Sequence, residues 1–311
     1  MENVQVSTFA GSGSFGGTDG VGTAASFTGP TGAAFDPAGN MYITEYGAGR
    51  IRKITPDKTV STLTTGLGAP FAVIYLNGDL YVSASTESKI YRITLAGVKS
   101  VFAGSSSGYA DGNGSAAQFH TPFGLASDSA GNIFVADPDN KTIRKIAPNG
   151  DVTTVAGLPS SSGTTDGPVA SATFKGPSGI AVGSDNAIYI SDYLSNTVRK
   201  IANGTVSTIA GDGSYGTQDG TGTTASFNRP YGMTMGNNGL LYVADFAGHK
   251  VRQVTSSGVV KTVAGTGTSG GTDGNGSTAT FNNPLALSTD PNGVIVVGEY
   301  SGNRVRKISG E

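Results

Sequence analysis

The chain has 311 residues, a formal net charge of −2 and no cysteine, and its 49 glycines follow no collagen period. The lack of cysteine excludes disulfides and metal sites built on thiolates. The small net charge and the absence of a basic block argue against nucleic acid and anionic membranes as partners. No apolar run approaches the roughly 20 residues of a membrane-spanning helix, so we expect no membrane insertion.

From the N-terminus onward, one pattern recurs: a proline, a D-x-x-G-N-type turn and a segment resembling hydrophobic-R-K-I. Its anchors are Pro30, Pro70, Pro122, Pro177, Pro230 and Pro284, spaced by 40, 52, 55, 53 and 54 residues. A strand-rich repeat of about 40–50 residues is typical of one blade of a β-propeller. The sequence therefore predicts an all-β fold, a six-bladed β-propeller, as a single domain over residues 1–311.

Each copy contains four predicted strands. In the copy that begins at Pro230 these are YGMTMG, LLYVAD, KVRQV and VVKTVAG, separated by turns rich in Gly, Asn and Ser. Short hydrophobic runs between such turns indicate four-stranded antiparallel blades. We place the blades near residues 30–65, 70–103, 122–156, 177–210, 230–264 and 284–308 plus 4–10.

The last blade is expected to be completed by the N-terminus. The sixth copy ends after its third strand, RVRKI, whereas the chain begins with VSTFAG, which matches a fourth strand. Closing the ring removes an open sheet edge. We predict that residues 4–10 form this strand, and that burial of Val6 and Phe9 contributes about 1.5–3 kcal/mol each. Deletion of residues 1–9 is then expected to open the ring and cause aggregation.

The segments YVAD…VRKI, P-x-G-hydrophobic-A and V-x-T-hydrophobic-A-G resemble the NHL repeat over essentially the whole chain. The form is similar to the bacterial type with Gly-rich insertions between blades. This resemblance implies a six-bladed propeller. It also implies a wide range of functions, from protein-binding platforms and RNA-binding repressors to amidating lyases and gluconolactonase-like hydrolases.

An acidic residue ends the second predicted strand in five copies, and an arginine follows seven residues later. In the second copy Ala84 and Tyr91 hold these positions, so both partners are lost together. We interpret this as one structural ion pair per blade, held by the guanidinium fork. The alternative is a ring of acids that binds a cation. The predicted pairs are Glu45 with Arg52, Asp137 with Arg144, Asp192 with Arg199, Asp245 with Arg252, and Glu299 with Arg306.

Five Gly-rich insertions precede the prolines of every blade except the second. Each contains an Asp-Gly at a matching position and ends in a phenylalanine, which we expect to pack the loop onto the blade. The aspartates are Asp19, Asp111, Asp166, Asp219 and Asp273. We interpret them as turn residues beside a glycine. The alternative is calcium binding, although calcium loops usually need several carboxylates; no other cofactor is predicted.

The loops between blades and those after the second strands are expected on the same face as the insertions. Their side chains differ between copies while the framework does not, which makes them candidates for ligand binding. The candidates are Tyr46, Phe71, His120, Phe123, Tyr193, Arg229, Tyr231, Phe246 and Tyr300. Aromatic rings with a few polar groups are typical of carbohydrate or peptide sites. The alternative is that the rings only cap the channel.

The sequence contains no convincing catalytic set. Its two histidines, His120 and His249, fall in loops of different blades and make a poor zinc site. We therefore predict a non-catalytic binding or scaffold propeller that recognises a protein, peptide or glycan on the face with the Gly-rich loops. The alternative is a metal-dependent lyase or lactonase-like hydrolase with its site at the channel mouth. We expect a monomer or a domain of a larger protein, located at the cell surface, in the periplasm or outside the cell.

Overall fold

The structure, a computed structural model, describes residues 4–310; residues 1–3 and 311 of the predicted domain lie outside this range. Within it, six antiparallel sheets form the blades of a propeller. The first strands of all six blades line a central channel of about 350 Å³. The predicted all-β, six-bladed propeller is confirmed.

Within each blade the first four strands run outward from the channel. The first strands are Pro30–Phe35, Pro70–Leu76, Leu125–Ser127, Pro177–Val182, Pro230–Met235 and Pro284–Thr289. The second strands are Met41–Glu45, Asp79–Ala84, Ile133–Asp137, Ile188–Asp192, Leu241–Asp245 and Ile295–Glu299. The third strands are Arg50–Ile54, Lys89–Thr94, Thr142–Ile146, Thr197–Ala202, Lys250–Val254 and Arg304–Ser309. The fourth strands are Thr59–Thr65, Lys99–Ala103, Asp151–Ala156, Thr205–Ala210, Val259–Ala264 and, for blade 6, Gln5–Ala10.

Five blades have a fifth strand, so the prediction of four strands per blade was wrong for these five. These strands are Gly20–Val21, Gly112–Asn113, Gly167–Pro168, Gly220–Thr221 and Gly274–Asn275. Each belongs to the Gly-rich insertion before its blade and pairs with the fourth strand, as Gly20 does with Val60. The prediction was right only for blade 2, whose sheet has four strands. Two-residue strands have too little periodicity to be recognised in a sequence.

Short 3-10 helices lie in the loops of the described chain. They are Gly22–Ala24, Tyr46–Ala48, Ser85–Glu87, Gly114–Ala116 and Gly222–Thr224. Three follow a fifth strand, and two connect a second strand to a third. Residues 4–310 contain no helix with the length and apolar character that a membrane crossing requires.

The N-terminal strand closes the ring as predicted. Gln5–Ala10 runs antiparallel to the third strand of blade 6, with Val6 opposite Ile308. Val6 is buried in the hydrophobic cluster between blades 5 and 6. Phe9 is only half-buried, and two lysine ammonium groups lie over its ring. The expected burial of Phe9 was therefore too large, because its ring packs only against the margin of the cluster between blades 6 and 1.

Adjacent blades pack closely around the channel. Six hydrophobic clusters each combine residues of two neighbouring blades. The glycine of the P-x-G motif permits this approach: a Cβ at Gly232 would lie 1.9 Å from the carbonyl oxygen of Leu285 in the next blade. Hydroxyls of second strands also connect neighbouring blades, since Ser83 Oγ of blade 2 donates to the carbonyl oxygen of Phe123 in blade 3 at 2.6 Å. These contacts give the channel mouth a rigid backbone.

Candidate functional site

The Gly-rich insertions are held by fully buried arginines. In blade 5, Arg252 Nη1 lies 2.9 Å from Asp245 Oδ2, and Arg252 Nη2 lies 2.7 Å from Asp219 Oδ1. Asp245 ends the second strand, whereas Asp219 belongs to the Gly-rich insertion. A single guanidinium therefore joins the sheet of the blade to the loop that covers it.

Further contacts secure the insertion of blade 5. The guanidinium of Arg252 donates to two main-chain carbonyls of the insertion, at 3.1 and 2.9 Å. Its central carbon lies 5.2 Å from the ring centre of Phe227, which is fully buried. The carboxylate of Asp219 also accepts hydrogen bonds from the N–H and hydroxyl of Thr262 on the fourth strand. The loop is thus attached to the second, third and fourth strands together.

The same arrangement recurs in blades 1, 3, 4 and 6. All five acid–arginine pairs expected from the sequence are in contact, at 2.9–3.8 Å, with Asp192 and Arg199 the most distant. The insertion aspartates, expected in turns, are instead second partners of these arginines at 2.6–2.7 Å. Within residues 4–310 no three His, Cys, Asp or Glu side chains are grouped to hold a metal ion. Calcium binding by the insertions, the alternative interpretation, is not tested by this arrangement.

Burial and hydrogen bonding shift the pKa values of the two kinds of acid in opposite directions. Burial raises the pKa of Asp245 to about 6 and that of Glu299 to about 7, although arginine and main-chain donors oppose this shift. Burial also acts on the insertion aspartates, but hydrogen bonds from arginine and threonine outweigh it and lower the pKa of Asp19, Asp219 and Asp273. Asp19, Asp219 and Asp273 therefore remain ionised to lower pH than Asp245 and Glu299.

Seven aromatic side chains gather at the mouth of the channel. They follow either a second-strand acid or a proline, and they are Tyr46, Tyr193, Phe246, Tyr300, Phe71, Phe123 and Tyr231. Each ring centroid lies 4.1–6.4 Å from that of another member. The structure thus brings seven of the nine predicted ligand-binding residues into one cluster.

Five of these rings form a closed loop, which we call the aromatic circuit: Tyr46, Phe71, Tyr231, Phe246, Tyr300 and back to Tyr46. The successive centroid distances are 6.4, 6.4, 5.1, 6.2 and 6.4 Å. The other two rings stack on members of the circuit at 4.1 and 4.7 Å. The circuit therefore combines side chains from blades 1, 2, 5 and 6.

The aromatic circuit borders a cavity of about 240 Å³. Phe123, Thr31 and Leu285 complete its lining, and none of the lining residues is charged. The hydroxyl of Thr31 already donates to the carbonyl oxygen of Pro70 at 3.0 Å. Burial raises the pKa of Tyr231, and its tyrosine neighbours add to the shift, so its hydroxyl stays protonated at neutral pH. The cavity is consequently aromatic and uncharged.

The two polar candidates do not line this cavity. His120 is exposed, and its Nε2 lies 3.8 Å from Asp139 Oδ2. The N–H of Arg229 donates to Asn196 Oδ1 at 2.9 Å, while its side chain is exposed. Arg229 lies two residues before Tyr231 in the chain, and its charge opposes the burial-driven rise in the pKa of that tyrosine. Arg229 therefore stands on the rim of the mouth.

His249 has a structural role. Its Nδ1 accepts the N–H of Asn283 at 3.2 Å, just as Asn303 Oδ1 accepts the N–H of Gly29 at 3.0 Å. Burial lowers the pKa of His249, which favours the neutral, accepting form. This histidine thus substitutes for an asparagine of the repeat.

The chain is similar to known proteins over part of its length. No family model matches the chain. NHL repeat-containing protein 2 of Gallus gallus is 33% identical over 150 residues, which cover 43% of this chain and 21% of that protein. Protein SUPPRESSOR OF QUENCHING 1, chloroplastic, of Arabidopsis thaliana is 31% identical over 147 residues, covering 43% of this chain and 14% of that protein.

The chain is an NHL-type propeller. It spans about a fifth or less of the length of these curated relatives, so their activities and partners do not transfer to it. The similarity lies in the repeat, which the structure shows as six blades.

Solved structures share the fold of this NHL-type propeller. A structural genomics protein of Bacteroides thetaiotaomicron VPI-5482 has a TM-score of 0.80 and 24% identity, covering 98% of this chain and 76% of that chain. An auxiliary nutrient binding protein of Bacteroides ovatus ATCC 8483 has a TM-score of 0.78 and 22% identity, covering 100% and 78%. Streptogramin B lyase has a TM-score of 0.63 and 16% identity, covering 99% and 98%. These likenesses show the fold alone, because binding proteins and enzymes both use it.

Proposed function

We propose that this NHL-type propeller is a non-catalytic binding module that recognises a protein, peptide or glycan at the mouth of its channel. The observation that carries the proposal is the aromatic circuit around an uncharged cavity of about 240 Å³. Concave sites lined mainly by aromatic and apolar side chains, with few polar groups, are typical ligand sites. The cavity is the feature of the mouth that a ligand group would enter.

The rings are attached to rigid parts of the fold. Phe71 and Tyr231 belong to first strands. Tyr46, Phe246 and Tyr300 directly follow second-strand acids, which are buried against arginine. A binding surface that is already ordered loses less conformational entropy when the ligand arrives. This pre-organisation supports recognition by the rings rather than by the loops as a whole.

The alternative of a metal-dependent lyase or lactonase-like hydrolase needs carboxylate or imidazole groups that converge at the mouth. The cavity lining contains neither. His120 is exposed on the rim, and His249 accepts a main-chain hydrogen bond in another blade. No residue set in the described chain favours this alternative over the binding module.

A ligand screen tests the proposal. Glycan and peptide arrays would be probed with the wild-type protein and with Tyr231→Ala, which removes a ring of the circuit. We expect a ligand whose affinity falls at least tenfold in this variant, about 1.4 kcal/mol or more. Tyr215→Ala is the matched control, because Tyr215 is a 69% exposed tyrosine in the insertion of the same blade. Equal affinity for the ligand in Tyr231→Ala and wild type, with both proteins folded by melting temperature, would contradict the proposal.

A further inference from the structure

The five rings of the aromatic circuit line the cavity, and the spacing of neighbouring rings is nearly uniform. Neighbouring centroids are 5.1–6.4 Å apart. A regular five-membered ring with sides of this length has its centre about 5 Å from every centroid, which lies inside the ~6 Å range of cation–π attraction. A small cation at the centre would therefore interact with several ring systems at once.

Neighbouring rings of the circuit are inclined to one another and are not stacked in parallel. The planes of neighbouring rings in the circuit are inclined by 41–89° to one another. Parallel stacking, which hides a ring face from a ligand, affects two members of the circuit: Phe123 stacks on Phe71, and Tyr193 stacks on Tyr231. The circuit thus surrounds the cavity with ring systems of different orientation.

The polarity of the cavity favours a cation that needs no hydrogen bonds. Apart from three tyrosine hydroxyls, the only polar side chain in the lining is Thr31, whose hydroxyl already donates to Pro70. A sugar requires several convergent hydrogen-bonding groups. A primary ammonium also loses its water shell without compensation in such a place. An alkylated ammonium has few or no N–H groups to satisfy, and it is attracted by the ring faces.

We propose that the aromatic circuit is a cage for an alkylammonium cation, such as a quaternary or methylated ammonium group. This inference rests on the proposed binding function and names the chemical group that enters the cavity. Arg229 on the rim repels a cation and attracts an anion. Removing its charge should therefore raise the affinity of the site for a cation and lower the affinity for an anion.

The first test compares two ligands of the same shape with the wild-type protein. Choline and its neutral carbon isostere, 3,3-dimethylbutan-1-ol, would be titrated calorimetrically at low salt. We expect choline to bind at least tenfold more tightly, because only choline gains the cation–π attraction. Arg229→Gln should raise the affinity for choline at least twofold, since it removes a like charge near the cage.

The second test distinguishes the contribution of the aromatic ring at position 46 from that of its apolar volume. Tyr46→Phe keeps the aromatic face and should retain choline affinity within about twofold, whereas Tyr46→Leu keeps an apolar side chain and should lose at least fivefold. Melting temperatures of both variants show that each is folded.

The outcomes distinguish this inference from the proposed function. Equal affinity for choline and its isostere overturns the cation cage and leaves an apolar binding site. Absence of choline binding, together with an array ligand that depends on Tyr231, overturns the cage and leaves the binding module. If no ligand of either experiment depends on the circuit, both proposals fail.

Discussion

Blade 2 differs from the other five blades in a whole set of residues at once. The five blades have a buried arginine, a second-strand acid, an insertion aspartate and a fourth-strand threonine that contacts it. In blade 2, Tyr91 and Ala84 replace the arginine and the acid, and Val101 lies opposite Tyr91 where a threonine lies elsewhere. The insertion is absent too, yet the blade keeps four paired strands. The arginine therefore serves mainly to hold the insertion, and the sheet does not require it.

The outer edge of blade 2 differs from the outer edges of the other five blades. The strand Lys99–Ala103 has no fifth strand beside it, and Val101 is 45% exposed. Lys99 stands where the other fourth strands have a buried valine, and its ammonium group donates to main-chain carbonyls at the end of blade 1. A lysine on an uncovered edge opposes unwanted strand pairing. A fifth strand and a lysine are thus two solutions to the same problem.

The largest effect is expected from reducing a blade below the four strands of blade 2. Deletion of residues 1–9 leaves blade 6 with three long strands, and the Gly274–Asn275 strand loses its partner. We expect an open ring that aggregates and a melting temperature lower by about 10 °C or more. Size-exclusion chromatography and calorimetry measure both. A peptide of residues 1–11 added in trans should restore the monomer; a truncated protein that stays monomeric with unchanged melting contradicts the closure.

A buried and an exposed arginine should differ strongly when they are removed. Arg252→Ala leaves two acids without their shared partner, and we expect a loss of about 3–5 kcal/mol in the free energy of unfolding. Arg92→Ala in blade 2 is the matched control, because Arg92 pairs with Asp79 but its side chain is 53% exposed, and we expect a much smaller loss of stability. Urea unfolding measures both. Similar losses in the two variants would contradict the role assigned to the buried arginine.

A smaller effect is expected when only the attachment of one loop is removed. Asp219→Ala breaks the contacts of the insertion with Arg252 and Thr262, and we expect a loss of about 1–2 kcal/mol. Limited proteolysis should then cleave within residues 211–229 while the blade remains folded. The control is Asp212→Ala in the same insertion, since its carboxylate accepts hydrogen bonds from Ser214 two residues away and the change should alter stability by about 0.5 kcal/mol or less. Cleavage at equal rates in both variants would count against the attachment.

The smallest effect is a pH dependence that blade 2 is expected to lack, because its second strand ends in Ala84 and not in an acid. Burial raises the pKa of Glu299 to about 7, so the folded protein retains a proton that the unfolded chain releases near pH 4.5. The free energy of unfolding should therefore fall as pH rises from about 5 to 7. Glu299→Gln should flatten this fall by on the order of 1 kcal/mol. Asp219→Asn should leave the slope in this window unchanged, because the pKa of Asp219 is lowered and acts only at more acidic pH. Unfolding titrations from pH 5 to 7 that give parallel curves for Glu299→Gln and wild type would reject this assignment.

The sequence of the second copy already lacks the acid, the arginine and the insertion together. Only the absence of the acid and the arginine entered the prediction of contacts. Ala84 and Tyr91 replace the acid and the arginine together, and this joint replacement predicted the acid–arginine contact. The loss of the insertion in the same copy carried the additional signal that the insertion aspartate contacts the same arginine. That signal was missed because Asp-Gly is also a common turn sequence, which supplied a sufficient local explanation.

The repeat spacing and the alternation of apolar residues determined the six blades, the order of their strands and the closure by residues 4–10. These features depend on neighbours along the chain, and such neighbours have a regular period in the sequence. The fifth strands and the double contact of each arginine depended on the tertiary structure, because Asp219 and Arg252 are 33 positions apart and meet only when the insertion folds over its blade. The aromatic circuit required even more, since its rings come from four blades. Sequence predicted that these rings share a face, but only the packing of the blades decided which of them enclose a cavity.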